Sequence, residues 1–127
     1  MIYLKRAYEE PSPEDGLRFL VDRLWPRGVK AAELALDGWF KEIAPSDGLR
    51  RWFGHDSTKW DEFRRRYFTE LDSRPEVWRE IGHAARNRRV TLIYSAHDTE
   101  HNNAVALREY LEAHMVPKNR KRKTSHG

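Results

Sequence analysis

The chain has 127 residues, roughly the length of one domain, and 35% of them are charged while 39% are apolar, with five Trp, five Tyr and five Phe. This composition excludes a wholly disordered chain, and the absence of cysteine excludes disulfides, thiolate nucleophiles and Cys-based metal sites. The net charge of +4 raises the question of nucleic-acid binding, whereas the lack of a long apolar run or a charged leader predicts a cytoplasmic protein with no membrane partner.

Two short apolar runs near the N-terminus predict the first two strands. Residues 2–6 are rich in strand formers, and the polar, proline-bearing stretch after them predicts a loop. Residues 17–22 form the second run, which Pro26 ends because proline cannot donate to a strand ladder. Residues 30–53 predict only short helical pieces, interrupted by Gly38.

The second half of the chain predicts longer elements. Apolar and aromatic residues from Trp60 to Leu71 recur at steps of three and four, which indicates an amphipathic helix. Residues 75–87 begin with proline and predict a second helix. Residues 89–95 form a continuous apolar run, typical of a strand covered on both faces.

A final helix is predicted after this strand, with Asp98 as its cap and Pro117 as its end. Strands separated by helical segments favour parallel pairing. We therefore expect one α/β domain over residues 1–116, with a short, mostly parallel sheet of about three core strands flanked by helices.

The C-terminal residues 117–127 predict a basic, disordered tail. Five of the 24 Lys and Arg residues lie within residues 118–123, which leaves 19 against 20 Asp and Glu residues in the rest of the chain. The tail has no apolar anchor that could order it. Any nucleic-acid binding is therefore expected to be weak and to depend on the tail, because the body is nearly neutral.

Parallel strands place ligand sites beyond their carboxyl ends, and this rule selects the polar residues after the second and third predicted strands. One strand leads to an acid and two arginines, and the other leads to an acid, a histidine and two asparagines. We expect these groups to converge on one cleft with polar residues of the intervening segment, the full set being Asp22, Arg23, Arg27, Arg50, His55, Asp98, His101, Asn102 and Asn103.

The arginines of this set predict an anion site, because guanidinium groups pair bidentately with phosphate and carboxylate oxygens. Arg23 and Arg27 would clamp a small phosphate- or nucleotide-like ligand, with Arg50 and His55 assisting. In the alternative interpretation the arginines pair with carboxylates inside the fold and leave no vacant site, the candidates being Asp22, Glu42 and Asp98.

If the protein is an enzyme, His101 is the predicted proton-transfer group, since histidine exchanges protons near neutral pH. Asp98 or Asp22 would orient its ring, and Asn102 or Asn103 would hydrogen-bond the substrate.

A metal site is a weaker hypothesis. His97 and His101 stand four residues apart, a spacing that lets two histidines of one helix share a metal ion. The prediction that Asp98 caps the helix places His97 on the loop before it, so we expect no metal and no cofactor.

Four motifs in order resemble those of one protein family: residues 21–28 (VDRLWPRG), 39–46 (WFKEIAPS), 49–55 (LRRWFGH) and 98–104 (DTEHNNA). Over residues 1–114 the chain is similar to the YeaO-like branch of the DUF 488 family, a bacterial family of uncharacterised proteins. The resemblance implies a small α/β domain and says little about activity. The broader family often carries Cys-His-Arg after the last strand, where this chain has His101, Asn102 and Asn103, so cysteine chemistry does not apply here.

The leading hypothesis is therefore a small α/β protein that binds a compact anionic ligand at the carboxyl ends of its strands and uses His101 if it is catalytic. One alternative is a nucleic-acid-binding module that uses the basic tail. Another is a non-catalytic interaction domain with exposed tryptophans. The sequence leaves the oligomeric state open.

Overall fold

The structure is a computed structural model that describes residues 1–115. Its strands are β1 (Ile2–Arg6), β2 (Leu17–Leu20), β3 (Gly38–Trp39) and β4 (Val90–Tyr94). Its α-helices are α1 (Ala31–Leu34), α2 (Asp47–Phe53), α3 (Trp60–Asp72), α4 (Pro75–Asn87) and α5 (Asn103–His114). The predicted tail and the predicted helix stop at Pro117 lie outside the described residues.

The four strands form one parallel sheet in the order β1-β4-β2-β3. All five residues of β4 are buried, as the apolar run predicts for a strand between two neighbours. Val90 lies opposite Ile2 on one side and Leu17 on the other, so β1 and β2 run in register along β4. The predicted α/β class and parallel pairing are confirmed.

Strand β3 is an addition to the three predicted strands. It consists of Gly38 and Trp39 and pairs with Phe19 and Leu20 of β2. The sequence analysis assigned this region to short helical pieces interrupted by Gly38. A two-residue strand carries no alternating pattern, which is why the sequence did not reveal it.

The two faces of the sheet support cores of unequal size. Leu92 of β4 packs into the larger core with α2 to α5, whereas the next residue, Ile93, packs into a smaller one with Leu20 and Leu34. Successive side chains of a strand point to opposite faces, which accounts for this division. The larger core fixes α3 to α5 behind the sheet, and the carboxyl ends of β2 and β4 open beside α2.

The opposite, amino end of the sheet contains a buried ion cluster. The carboxylate of Asp15 accepts hydrogen bonds from Lys5 at 2.9 Å and Arg18 at 2.6 Å. Burial raises the pKa of Asp15, but hydrogen bonds, first from Lys5 and then from the backbone of Ser12 and from Arg18, outweigh burial and lower the pKa below its ordinary value. This cluster anchors β2 to the loop that precedes it.

Gly16 makes the turn from this cluster into β2 with a φ of +66°. A Cβ atom at this position would lie 2.2 Å from the carbonyl oxygen of Arg89. Both the left-handed backbone and the close approach therefore require glycine.

Candidate functional site

A cavity of about 710 Å³ opens at the carboxyl ends of β2 and β4, bordered by α2 and by the loop that leads into α5. Its lining includes every member of the residue set that the sequence selected: Asp22, Arg23, Arg27, Arg50, His55, Asp98, His101, Asn102 and Asn103. The rule for parallel strands therefore selected residues that do converge. Their individual contacts differ, and so do the roles they can take.

Asp22 ties together three segments at the base of the cavity. Its Oδ2 accepts hydrogen bonds from the backbone N–H of Ser95 at 3.0 Å and from the Ser95 hydroxyl at 2.6 Å. Its Oδ1 accepts from Nδ2 of Asn103 at 3.2 Å, and the same amide also donates to the carbonyl of Val21 at 3.0 Å. The carboxylate thus joins the ends of β2 and β4 to the first turn of α5.

The segment before α5 corrects one prediction. Asp98 does not cap the helix: its Oδ1 accepts hydrogen bonds from the N–H groups of Glu100 at 2.9 Å and His101 at 3.0 Å and so closes an isolated turn. Asn102 is the cap, since its Oδ1 accepts from the N–H of Val105 at 3.0 Å. His101 therefore precedes the helix.

Asp98 also contacts the ring of His101, with Oδ2 and Nδ1 3.0 Å apart. The hydrogen bond from the Glu100 N–H, followed by that from His101, lowers the pKa of the Asp98 carboxyl. The ring of His101 packs edge-on against Trp60 with centroids 5.4 Å apart. An ionised carboxylate at Nδ1 favours the tautomer in which Nδ1 carries the proton and Nε2 is the acceptor.

The two asparagines are used largely inside the fold. Asn102 is buried, and besides capping α5 it donates from Nδ2 to the carbonyl of Asp98 at 2.8 Å. Asn103 donates to Val21 and Asp22 as described above. These contacts favour structural roles for both amides, whereas the sequence analysis assigned them to the ligand.

The arginines have few internal partners. Arg50 Nη2 and Arg23 Nε both approach Oδ1 of Asp47, at 2.7 Å and 3.5 Å. The hydrogen bond from Arg50, and then the charge of Arg23, lower the pKa of the Asp47 carboxyl. Within residues 1–115 the guanidinium of Arg27 makes no hydrogen bond or ion pair, and Nε of Arg50 is buried without a hydrogen-bond partner.

The arginines of the cavity therefore pair only partly with carboxylates of the fold, and the acid that they use is Asp47 rather than Asp22, Glu42 or Asp98. Asp22 binds serine and asparagine, Asp98 binds His101, and Glu42 faces Arg74 at 3.6 Å. One carboxylate, Asp47, serves two arginines of the cavity.

His55 reaches the cavity from a strained backbone. It has a φ of +59°, directly after Gly54 with a φ of +53° at the end of α2. A non-glycine residue in this region is uncommon, and histidine is among the types found there more often. The side chain is exposed at the cavity rim.

Sequence reasoning missed several residues of the lining. Arg51 contributes a fourth guanidinium, and Tyr8 and Leu24 contribute apolar surface. Arg51 follows Arg50 in the third motif, but adjacent residues of a helix point in different directions, so the sequence offered no reason to include both. Tyr8 lies in the loop after β1, whereas the site residues were selected only from the segments that follow the second and third predicted strands.

Two further hypotheses can be compared with the structure. The interaction hypothesis required exposed tryptophans, but all five are only partly exposed, and Trp52 lies beneath the cations of Arg66 and Lys59. Within the described part of the chain, no group of three or more His, Asp or Glu side chains could hold a metal ion.

No helix in residues 1–115 has the length and apolar character that a membrane crossing requires.

Comparisons with known proteins agree with the motif resemblance. The uncharacterised protein YeaO of Escherichia coli (strain K12) is 41% identical over 112 residues, which cover 88% of this chain and 97% of YeaO. The uncharacterised protein Rv3073c of Mycobacterium tuberculosis (strain H37Rv) is 43% identical over 70 residues, which cover 55% of this chain and 59% of that protein. No solved structure matches the chain significantly.

A family model described as "Inactive DUF488-N3 subclade" matches residues 1–127. The match spans the cavity-lining segments of α2 and of the loop before α5 as well as the strands. Together with the likeness to YeaO over most of both chains, it places the sequence in a family. The chain belongs to the DUF488 family, in the subclade that this model describes.

Proposed function

We propose that the cavity binds a small anionic ligand, phosphate-like or nucleotide-like, through Arg23, Arg27 and Arg50. The observation that carries the proposal is that four arginines line a single cavity while two of them share one carboxylate. The volume of about 710 Å³ lies within the range of roughly 300–1,000 Å³ that is usual for small-molecule sites.

Charge in this cavity is not balanced internally. Asp22 and Asp98 are the acids of the lining, and Asp47 pairs with Arg23 and Arg50, so three carboxylates face the four guanidinium groups of Arg23, Arg27, Arg50 and Arg51. A guanidinium without a carboxylate partner offers a planar pair of donors to a phosphate. Arg27 and Arg51 both have this character within residues 1–115, and of the three arginines proposed to bind the ligand Arg27 is the one on which we expect binding to depend most.

The test is calorimetric titration with inorganic pyrophosphate at low ionic strength. Arg27→Gln should weaken binding by at least about tenfold, because a hydrogen bond to a charged group contributes roughly 1.5–3 kcal/mol. Arg86→Gln is the matched control, since it removes the same charge from an exposed position at the end of α4, outside the cavity. Equal losses in the two variants, or no binding by the wild type, would count against the site.

The word "Inactive" in the family description favours binding without turnover. The contact between Asp98 and His101 nevertheless supports a second candidate, an acid–base role for His101. In it Asp98 holds Nδ1, so that Nε2 can accept a proton from a bound molecule, and Asp22 holds the strand ends that border it. For any substrate found, His101→Ala should abolish turnover in a protein that still folds, and an unchanged rate would remove the catalytic role.

A further inference from the structure

The cavity lining contains apolar side chains as well as arginines. Its apolar lining includes Tyr8, Leu24, Trp25, Phe53 and Phe63. Phe53 and Phe63 are buried and stack on each other with centroids 4.4 Å apart. Tyr8 and Leu24 are instead exposed at its rim.

Exposure of these two residues is unusual for this protein. Residues 1–115 expose four large apolar side chains, and Tyr8 at 49% and Leu24 at 68% both line this cavity. The other two, Met1 and Tyr3, contact each other at the sheet edge, where the Tyr3 hydroxyl lies 2.8 Å from the Met1 sulfur. Single exposed apolar residues need no explanation, but two beside one basic cavity favour a binding role.

Trp25 gives this apolar lining a fixed shape. Its Nε1 donates to the carbonyl of Val29 at 2.6 Å, and its ring packs edge-on against Trp39 with centroids 5.3 Å apart. Tyr8 is held as well, because its hydroxyl donates to the carbonyl of Arg27 at 3.2 Å and the Arg6 guanidinium lies 5.1 Å from its ring centre. Aromatic surfaces held in this way bind a flat ligand without a large ordering cost.

A single inorganic anion would leave most of a cavity of about 710 Å³ to water. We infer that the ligand is an organic phosphate monoester that carries a planar ring, with its phosphate against Arg23 and Arg27 and its ring against Leu24 and Trp25. This inference rests on the proposed anion site and specifies what else the ligand must contain. The hydrogen bond from the Tyr8 hydroxyl to the carbonyl of Arg27 holds the loop after β1 against the loop after β2, so an apolar and a basic residue of the lining lie beside each other.

The experiment compares methyl phosphate, phenyl phosphate and adenosine 5′-monophosphate by calorimetric titration of the full chain. Methyl and phenyl phosphate carry the same charged group and differ in the ring. We expect one or both ring-bearing probes to bind at least about tenfold more tightly than methyl phosphate, because burial of apolar ring surface adds to the phosphate contacts.

Two variants identify the surface that binds the ring. Leu24→Ser changes an exposed side chain, so the fold should be retained, and it should weaken binding of the ring-bearing probes several-fold while leaving methyl phosphate unchanged. Tyr3→Thr changes another of the exposed apolar side chains, one outside the cavity lining, and should alter the binding of neither kind of probe. Equal affinity for all three probes, lost together in Arg27→Gln, would overturn the ring inference and leave the anion site standing. Absence of binding by every probe, including pyrophosphate, would overturn both.

Discussion

Replacement of Asp22 tests whether its carboxylate is a structural tie between three segments. Asp22→Ala removes the acceptor of two hydrogen bonds from Ser95 and one from Asn103. A lost hydrogen bond that leaves its donor poorly satisfied costs about 1 kcal/mol at a half-buried site, so we expect the unfolding free energy to fall by about 2–3 kcal/mol. A catalytic carboxylate without these contacts would show no such loss.

Asp22→Asn separates geometry from charge. The single oxygen of the introduced amide can still accept hydrogen bonds from Ser95. The amide NH₂ then faces the NH₂ of Asn103, and two donors cannot pair. The expected loss is about 1 kcal/mol, smaller than that of the alanine variant.

Urea unfolding followed by tryptophan fluorescence measures both changes. Asp61→Ala is the control, because the Asp61 side chain is 82% exposed and its surface ion pair with Arg64, at 3.7 Å, should contribute less than about 1 kcal/mol. If Asp22→Ala unfolds at the same urea concentration as this control, the argument that Asp22 ties the strand ends to α5 is wrong.

The remaining predictions concern other parts of the chain. Gly16→Ala should lower the unfolding free energy by at least about 2 kcal/mol, measured by urea titration, because its Cβ would collide with the Arg89 carbonyl in a left-handed turn. The depressed pKa of Asp15 stabilises the fold above its ordinary value of 3.8, and this stabilisation is lost as the pH falls through the lower folded value. The stability difference between wild type and Asp15→Asn should therefore shrink below about pH 4 in thermal melts, and a constant difference would contradict the role of the Lys5 hydrogen bond. Deletion of residues 118–127 should abolish any DNA binding in gel-shift assays at low salt, since the rest of the chain has 19 basic against 20 acidic residues; retained binding would point to a basic surface of the body.

The main strands and helices could be predicted because their patterns are long or continuous. The apolar run that ends at Tyr94 and the periodic aromatics from Trp60 onwards leave few alternatives. The predicted start of α5 was wrong because Asp98 and Asn102 are both good capping residues, and the sequence alone does not tell which of them caps the helix. Asp98 instead caps a separate turn, which keeps His101 outside the helix and its ring beside the carboxylate.

Which residues line the cavity could be predicted more fully than the contacts that each of them makes. Parallel strands bring their carboxyl ends together, so the residues that follow them had to lie close to one another. The sequence does not specify how each polar group is satisfied. The position of Asp47 between Arg23 and Arg50 depends on the direction of α2, and the exposure of Leu24 depends on the path of the loop after β2.

The order of strands in the sheet has a consequence for how this chain folds. Both β1 and β2 pair with β4, which is the last strand of the described residues, and the N-terminal amine donates to the carbonyl of Ala85, 84 residues away. Such distant pairings must wait until the intervening chain can close on itself, which slows folding. During synthesis the first two strands therefore emerge without their main partner. The sheet can assemble only after residue 94 has left the ribosome, and the cavity at its edge only after Asn103, which is part of the lining.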